Sequence, residues 1–175
     1  RYGLHDWQVV VRPAMIADCT VGGTSVYLRE GALFSREHVR SLIAHEIETH
    51  VLTAENGLHQ PLELFRRGFA QYLDTQEGLA VWSQNRVLSP HHEKRCGPAR
   101  NVLAIAYALQ NSFADTRAYL INELNYRPDK ALSKAIDFKR GITDTSQPGG
   151  FTRGLVYFRG LRAIEHFVEQ GGDLK

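Results

Sequence analysis

What the chain has little of narrows the field first. Its 175 residues include two cysteines and one methionine. Cys19 and Cys96 stand far apart and make no CxxC pair, which argues against a zinc knuckle or a disulfide scaffold and leaves two reduced thiols. Long apolar runs are missing too: the stretch from Val102 to Leu109 falls far short of the ~20 residues that would cross a bilayer. No charged-then-apolar leader opens the sequence. Neither charge dominates, since 21 Lys and Arg against 19 Asp and Glu leave +2, too even to attract nucleic acid or anionic lipid. These absences predict a cytoplasmic protein that engages no nucleic acid and no membrane. Repeats and low-complexity tracts are absent as well, and a chain of this length buries enough surface to fold without staples. Residues 1–175 therefore read as one domain.

What is present is mostly helical periodicity. Trp7 to Val11 and Thr24 to Leu28 are rich in β-branched and aromatic residues and flank Gly22-Gly23, so they predict strands of a small N-terminal sheet. From Ser35, a plausible N-cap, the apolar residues Val39, Leu42, Ile43, Ile47 and Val51 fall at helical spacing and predict a helix from about Arg36 to Ala54. Pro61 opens a second helical stretch to about Tyr72, with Phe65, Phe69 and Tyr72 as a packing stripe. Asp74 can cap a third. Further helices are expected near Ala99 to Asn111, Thr116 to Leu124, Asp129 to Arg140 and Phe151 to Glu169. The fold class is α+β, mainly α.

The chemistry concentrates in His45 to His50, HEIETH. Two neutral imidazoles that bind a metal and a carboxylate that handles the proton of a water are the parts of a hydrolytic zinc site. The spacing is unusual, because residues five apart on an α-helix point about 140° away from each other. An irregularity of the π-bulge kind is therefore expected here, since one extra residue in the turn brings both rings to one side. Glu46 and His50 also lie in the arc of the apolar residues. Buried there they need partners, either each other or a metal-containing cleft.

A third ligand is needed, and Glu77 in QEGLA is the candidate, on a separate predicted helix. The local sequence offers an alternative. Asp74-Thr75-Gln76-Glu77 also fits a capping box, in which Glu77 serves the backbone of Asp74. On these residues alone the two readings stay open. Toward the C-terminus, FTRGLVYFR carries Arg153 and Arg159, which either lie on a solvated helix face or grip a carboxylate. Tyr157 stands one helical turn beyond Arg153, and the hydroxyl of Thr152 could serve substrate or cap the helix.

HEIETHVLTAENG (His45 to Gly57), TQEGLAVWS (Thr75 to Ser83) and GGFTRGLVYFRGL (Gly149 to Leu161), in this order, resemble the QEGLA-motif family of gluzincin-like metallopeptidases. Its animal members are the microtubule-associated tyrosine carboxypeptidases. The resemblance runs from about Trp7 to Phe167. It implies a zincin-like, gluzincin-type core holding one Zn2+ through His45, His50 and Glu77, with Glu46 as general base and Tyr157 as a second catalytic group. Arg153, Thr152 and Arg159 are then candidates for substrate binding. The implied substrate is the C-terminal tail of a peptide or protein, with release of an aromatic residue, and tubulin enters as a partner through the resemblance alone. Members of that family are longer, so the chain is expected to be a minimal version or a fragment. The alternatives are an endopeptidase or dipeptidase of the same fold, or a non-catalytic zinc-binding regulatory domain.

Overall fold

β-Branched and aromatic side chains set the first elements. In the computed structural model, which describes residues 3–15 and 17–174, strand β1 spans Gln8–Arg12, β2 Cys19–Gly22 and β3 Ser25–Arg29. The sheet order is β1-β3-β2, with β1 parallel and β2 antiparallel to β3. The sequence reading passed over β2. Gly23, at φ +59°, turns the chain so that Val21 pairs with Val26 and Cys19 with Leu28. These four share a face, which packs on Leu42, Ile47 and Val51 of the helix that follows.

Ser35 caps that helix as expected, its hydroxyl accepting from the His38 N–H at 3.1 Å. The helix then runs through three geometries: α1 (Arg36–Leu42), a π-helical segment (Ile43–Val51) and α2 (Leu52–Leu58). The irregularity expected at the two histidines is present and spans nine residues. Its bonds show the change of pitch. The Leu52 N–H reaches the carbonyl of Ile47, and the buried Thr49 hydroxyl donates to the carbonyl of Ala44 at 3.0 Å, each five residues back.

The stretch from Pro61 to Tyr72 departs from expectation and is helical only over α3 (Leu64–Arg67). Phe65 and Phe69 meet edge to face with centroids 5.4 Å apart, but both are exposed, as are Tyr72, Leu62 and Leu64, so the expected packing stripe is not buried. A helix held together by one apolar face needs something to bury that face against. Gly68 at φ +87° and Gln71 at φ +66° redirect the chain, and α4 (Tyr72–Val87) begins two residues ahead of Asp74. Asp74 lies in its first turn instead of capping it.

A short 3-10 turn (Glu93–Cys96) leads into α5 (Gly97–Ala108), followed by α6 (Phe113–Asn122) and α7 (Pro128–Phe138). Pro98 and Pro128 sit in the first turns of α5 and α7, and Ser112 caps α6. These three helices enclose a core of Ala104, Ile105, Ala108, Leu120, Leu124, Ala131, Ala135 and Phe138. The loop expected at 144–150 follows, then a 3-10 turn (Thr152–Gly154) and α8 (Leu155–Glu169).

Helix α8 lies along α4 at very short range. A Cβ on Gly160 would stand 1.8 Å from the Asp74 carbonyl oxygen, and one on Gly78 would stand 2.1 Å from the carbonyl carbon of Gly160. Only glycine permits that approach. The architecture is thus α+β, mainly helical with a small N-terminal sheet. Among the described residues no helix is long and apolar enough to cross a membrane.

Candidate metal centre and active site

The π segment decides where two histidines point. Closing its turns over five residues brings the rings of His45 and His50 together, edge to face, with centroids 5.1 Å apart. Helix α4 supplies the third group. Glu77, 8% exposed, holds Oε2 at 3.7 Å from Nε2 of His45 and at 3.7 Å from Nε2 of His50. One potential ligand atom from each residue lies within 4.8 Å of the other two. The capping-box alternative for Glu77 is not what forms: α4 starts too early, and Asp74 pairs with Arg159 at 3.0 Å.

This donor set fits a metal ion. Two imidazole nitrogens and one carboxylate oxygen suit a first-row divalent cation and leave a coordination position over. Spans of 3.7 Å are a few tenths of an ångström from the ~3.4 Å edge of a tetrahedron built with ~2.1 Å bonds. Protonation agrees as well. Burial holds His50 below the usual histidine range, with Glu77 opposing and His45 reinforcing, which favours the neutral ring that a metal requires. Nδ1 of His45 is buried without a hydrogen-bond partner among the described residues.

Glu46 is partly buried on the same segment. Burial lifts its carboxyl above the usual carboxylate range, His45 pulling back and Glu77 adding to the rise. Such a carboxylate is a better proton acceptor than a solvated one. Cys19 is a neighbour that sequence reasoning missed, for the only signal was strand β2 itself. Its thiol is pushed up to about 12 by burial first and by the charge of Glu46 second.

The start of α8 faces the same centre. Tyr157 is half-buried, and burial, then the charge of Glu77, pushes its phenol up to about 12, Arg153 opposing. Arg153 is exposed in the 3-10 turn ahead of it. Thr152 is exposed in that turn as well and caps nothing: the capping position is Phe151. Arg159 is committed elsewhere, its guanidinium held by both oxygens of Asp74 at 3.0 and 3.1 Å.

A family model described as microtubule-associated tyrosine carboxypeptidase matches residues 2–174. Human MATCAP2 is 32% identical over 135 residues, covering 74% of this chain and 25% of that protein. Mouse MATCAP2 is 30% identical over 140 residues, covering 77% and 26%. The mouse microtubule-associated tyrosine carboxypeptidase 1 is 32% identical over 135 residues, covering 73% and 28%. The chain therefore spans about a quarter of the length of the curated relatives it matches. With the family model matching almost end to end around the His45, His50 and Glu77 cluster, this chain belongs to the microtubule-associated tyrosine carboxypeptidase family.

Proposed function

We propose that residues 1–175 form the catalytic domain of a zinc metallocarboxypeptidase, with a gluzincin-type core and QEGLA as its third-ligand motif. One observation carries the reading: two histidines five residues apart converge with Glu77 because the helix between them is π-helical. His45, His50 and Glu77 hold one Zn2+. The chemistry a zinc ion supplies at such a site is Lewis acidity toward the scissile carbonyl and the attacking water.

The chain's own residues do the rest. Glu46, its basicity raised by burial, accepts the proton of the attacking water and delivers it to the leaving amine. Tyr157, its phenol held protonated by a pKa of about 12, donates a hydrogen bond to the oxyanion that develops on the carbonyl. Arg153 grips the free α-carboxylate of the substrate through its planar guanidinium. Thr152 stands in the same turn and lines the approach. Arg159 contributes at one remove, by fixing α8 against α4.

The substrate class is a peptide or protein C-terminus, and the names of the relatives support an aromatic last residue and a tubulin tail as the first to try. A tubulin substrate places the enzyme in the cytoplasm. The test combines metal analysis with mass spectrometry of peptides ending in different residues, each with a free and an amidated C-terminus. The expected result is one zinc per chain and loss of a single aromatic residue from free C-termini, abolished by a chelator. Equal cleavage of the amidated peptides replaces this reading with an endopeptidase, and zinc without hydrolysis replaces it with a regulatory domain.

A further inference from the structure

Lys139, at the C-terminal end of α7, is 3% exposed, although it carries a charge and lies in sequence between the two members of a surface ion pair, Asp137 and Arg140. A lysine is rarely buried so deeply without a carboxylate partner. Its ammonium is met by backbone oxygens. Nζ donates to the carbonyls of Ala108 at 2.8 Å, Gly149 at 2.7 Å and Gln147 at 3.3 Å, and also to that of Asn111.

These four oxygens come from two segments. Ala108 is the last residue of α5 and Asn111 lies in the turn just beyond it, where the helix dipole favours a cation. Gln147 and Gly149 belong to the loop that delivers the 3-10 turn Thr152–Gly154 and then α8. Main-chain bonds take the same path: Gly149 N–H to Ala108 O at 3.3 Å and Phe151 N–H to Phe138 O at 2.7 Å. The loop also fits tightly. Gly149 lies at φ +129°, and a Cβ on Gly154 would press on Ile105 at 3.0 Å.

We propose that Lys139 is a positioning residue for the catalytic turn: its buried ammonium pins the 147–149 segment to the C-terminus of α5 and so fixes where Arg153 and Tyr157 stand before the His45–His50–Glu77 cluster. This rests on the roles given above to Arg153 and Tyr157. Lys139 touches neither substrate nor metal, and its effect passes through the backbone. Displacing a positioned group by ~1 Å costs on the order of 100-fold in rate.

The experiment compares the parent with Lys139→Met and Lys139→Ala by zinc content, steady-state kinetics and amide hydrogen exchange. Lys139→Met is expected to keep parental zinc and to lose between ~10-fold and ~100-fold in kcat/KM. Exchange should accelerate over residues 147–157 while the π segment stays protected. Added ammonium or methylammonium should restore part of the loss in Lys139→Ala, and tetramethylammonium at equal ionic strength should not, since it cannot donate to the carbonyls. Should Lys139→Met not fold, the same rescue is read as recovery of folded Lys139→Ala. Parental exchange over 147–157, or loss of zinc together with activity, or no rescue by small ammonium ions overturns the proposal. If the parent hydrolyses no peptide, the catalytic reading fails, and the exchange data still decide whether Lys139 pins the turn.

Discussion

At the scale of single residues, the same burial acts oppositely on different groups. It raises Glu46 toward basicity and lowers His50 toward neutrality, which are the states that hydrolysis and metal binding require. Glu46→Gln keeps the shape and removes the proton acceptor. It should retain parental zinc, measured by atomic emission, and lose ~100-fold or more in kcat; parental turnover would remove Glu46 from the mechanism. The cysteines give an independent check of the packing. Cys19 is buried with its thiol pushed up to about 12, whereas Cys96 is exposed. Since the thiolate is the reactive form, iodoacetamide in mildly alkaline buffer should alkylate Cys96 alone in the native chain. Cys19 should react once denaturant is added, as peptide mapping would show.

At the scale of elements, what was legible in the sequence was whatever a local pattern could carry. Ser35, Pro98 and Pro128 mark helix starts, and the five-residue interval between His45 and His50 calls for an irregular helix, which is what forms. The failures share a different cause. Pro61 to Tyr72 had apolar residues at helical spacing, but periodicity does not say whether a surface exists to cover them, and Leu62, Leu64, Phe65, Phe69 and Tyr72 stay exposed among the described residues. Strand β2 is four residues long and needs β3 beside it to be recognisable. Gly78 and Gly160 looked like isolated glycines inside helices, because their meeting depends on residues far apart in sequence. That contact yields a prediction. Gly160→Ala drives a methyl group into the carbonyl of Asp74 and should cost about 3 kcal/mol, the upper part of the usual overpacking range. Thermal unfolding of the purified variant measures it, and a melting temperature equal to the parent's would contradict the close approach of α4 and α8.

At the scale of the whole molecule, the candidate centre joins two parts of the chain, since His45 and His50 come from the π segment and Glu77 from α4. An ion held by all three binds the folded chain and has no equivalent site in the unfolded one. Zinc at ~100 times its dissociation constant should stabilise the fold by about 2.7 kcal/mol. For a chain of this size that raises the melting temperature by roughly 5–10 °C. Scanning calorimetry with zinc and with chelator tests this, and His50→Ala should erase the difference. His45 and His50 were legible in sequence because such residues are rare in an apolar helix, whereas Glu77 stayed open between metal ligand and capping box on its local sequence. Lys139 was not legible, because a lysine at a helix end is ordinarily solvated, and its burial is decided by a loop that no local pattern places.

The glycine contact between α4 and α8 also bears on how such a protein changes over time. Where main chain rests on main chain, the span from Glu77 to Tyr157 is set by the backbone and not by the bulk of any intervening side chain. Substitutions elsewhere in the core can then accumulate without stretching the distance between Glu77 and Tyr157.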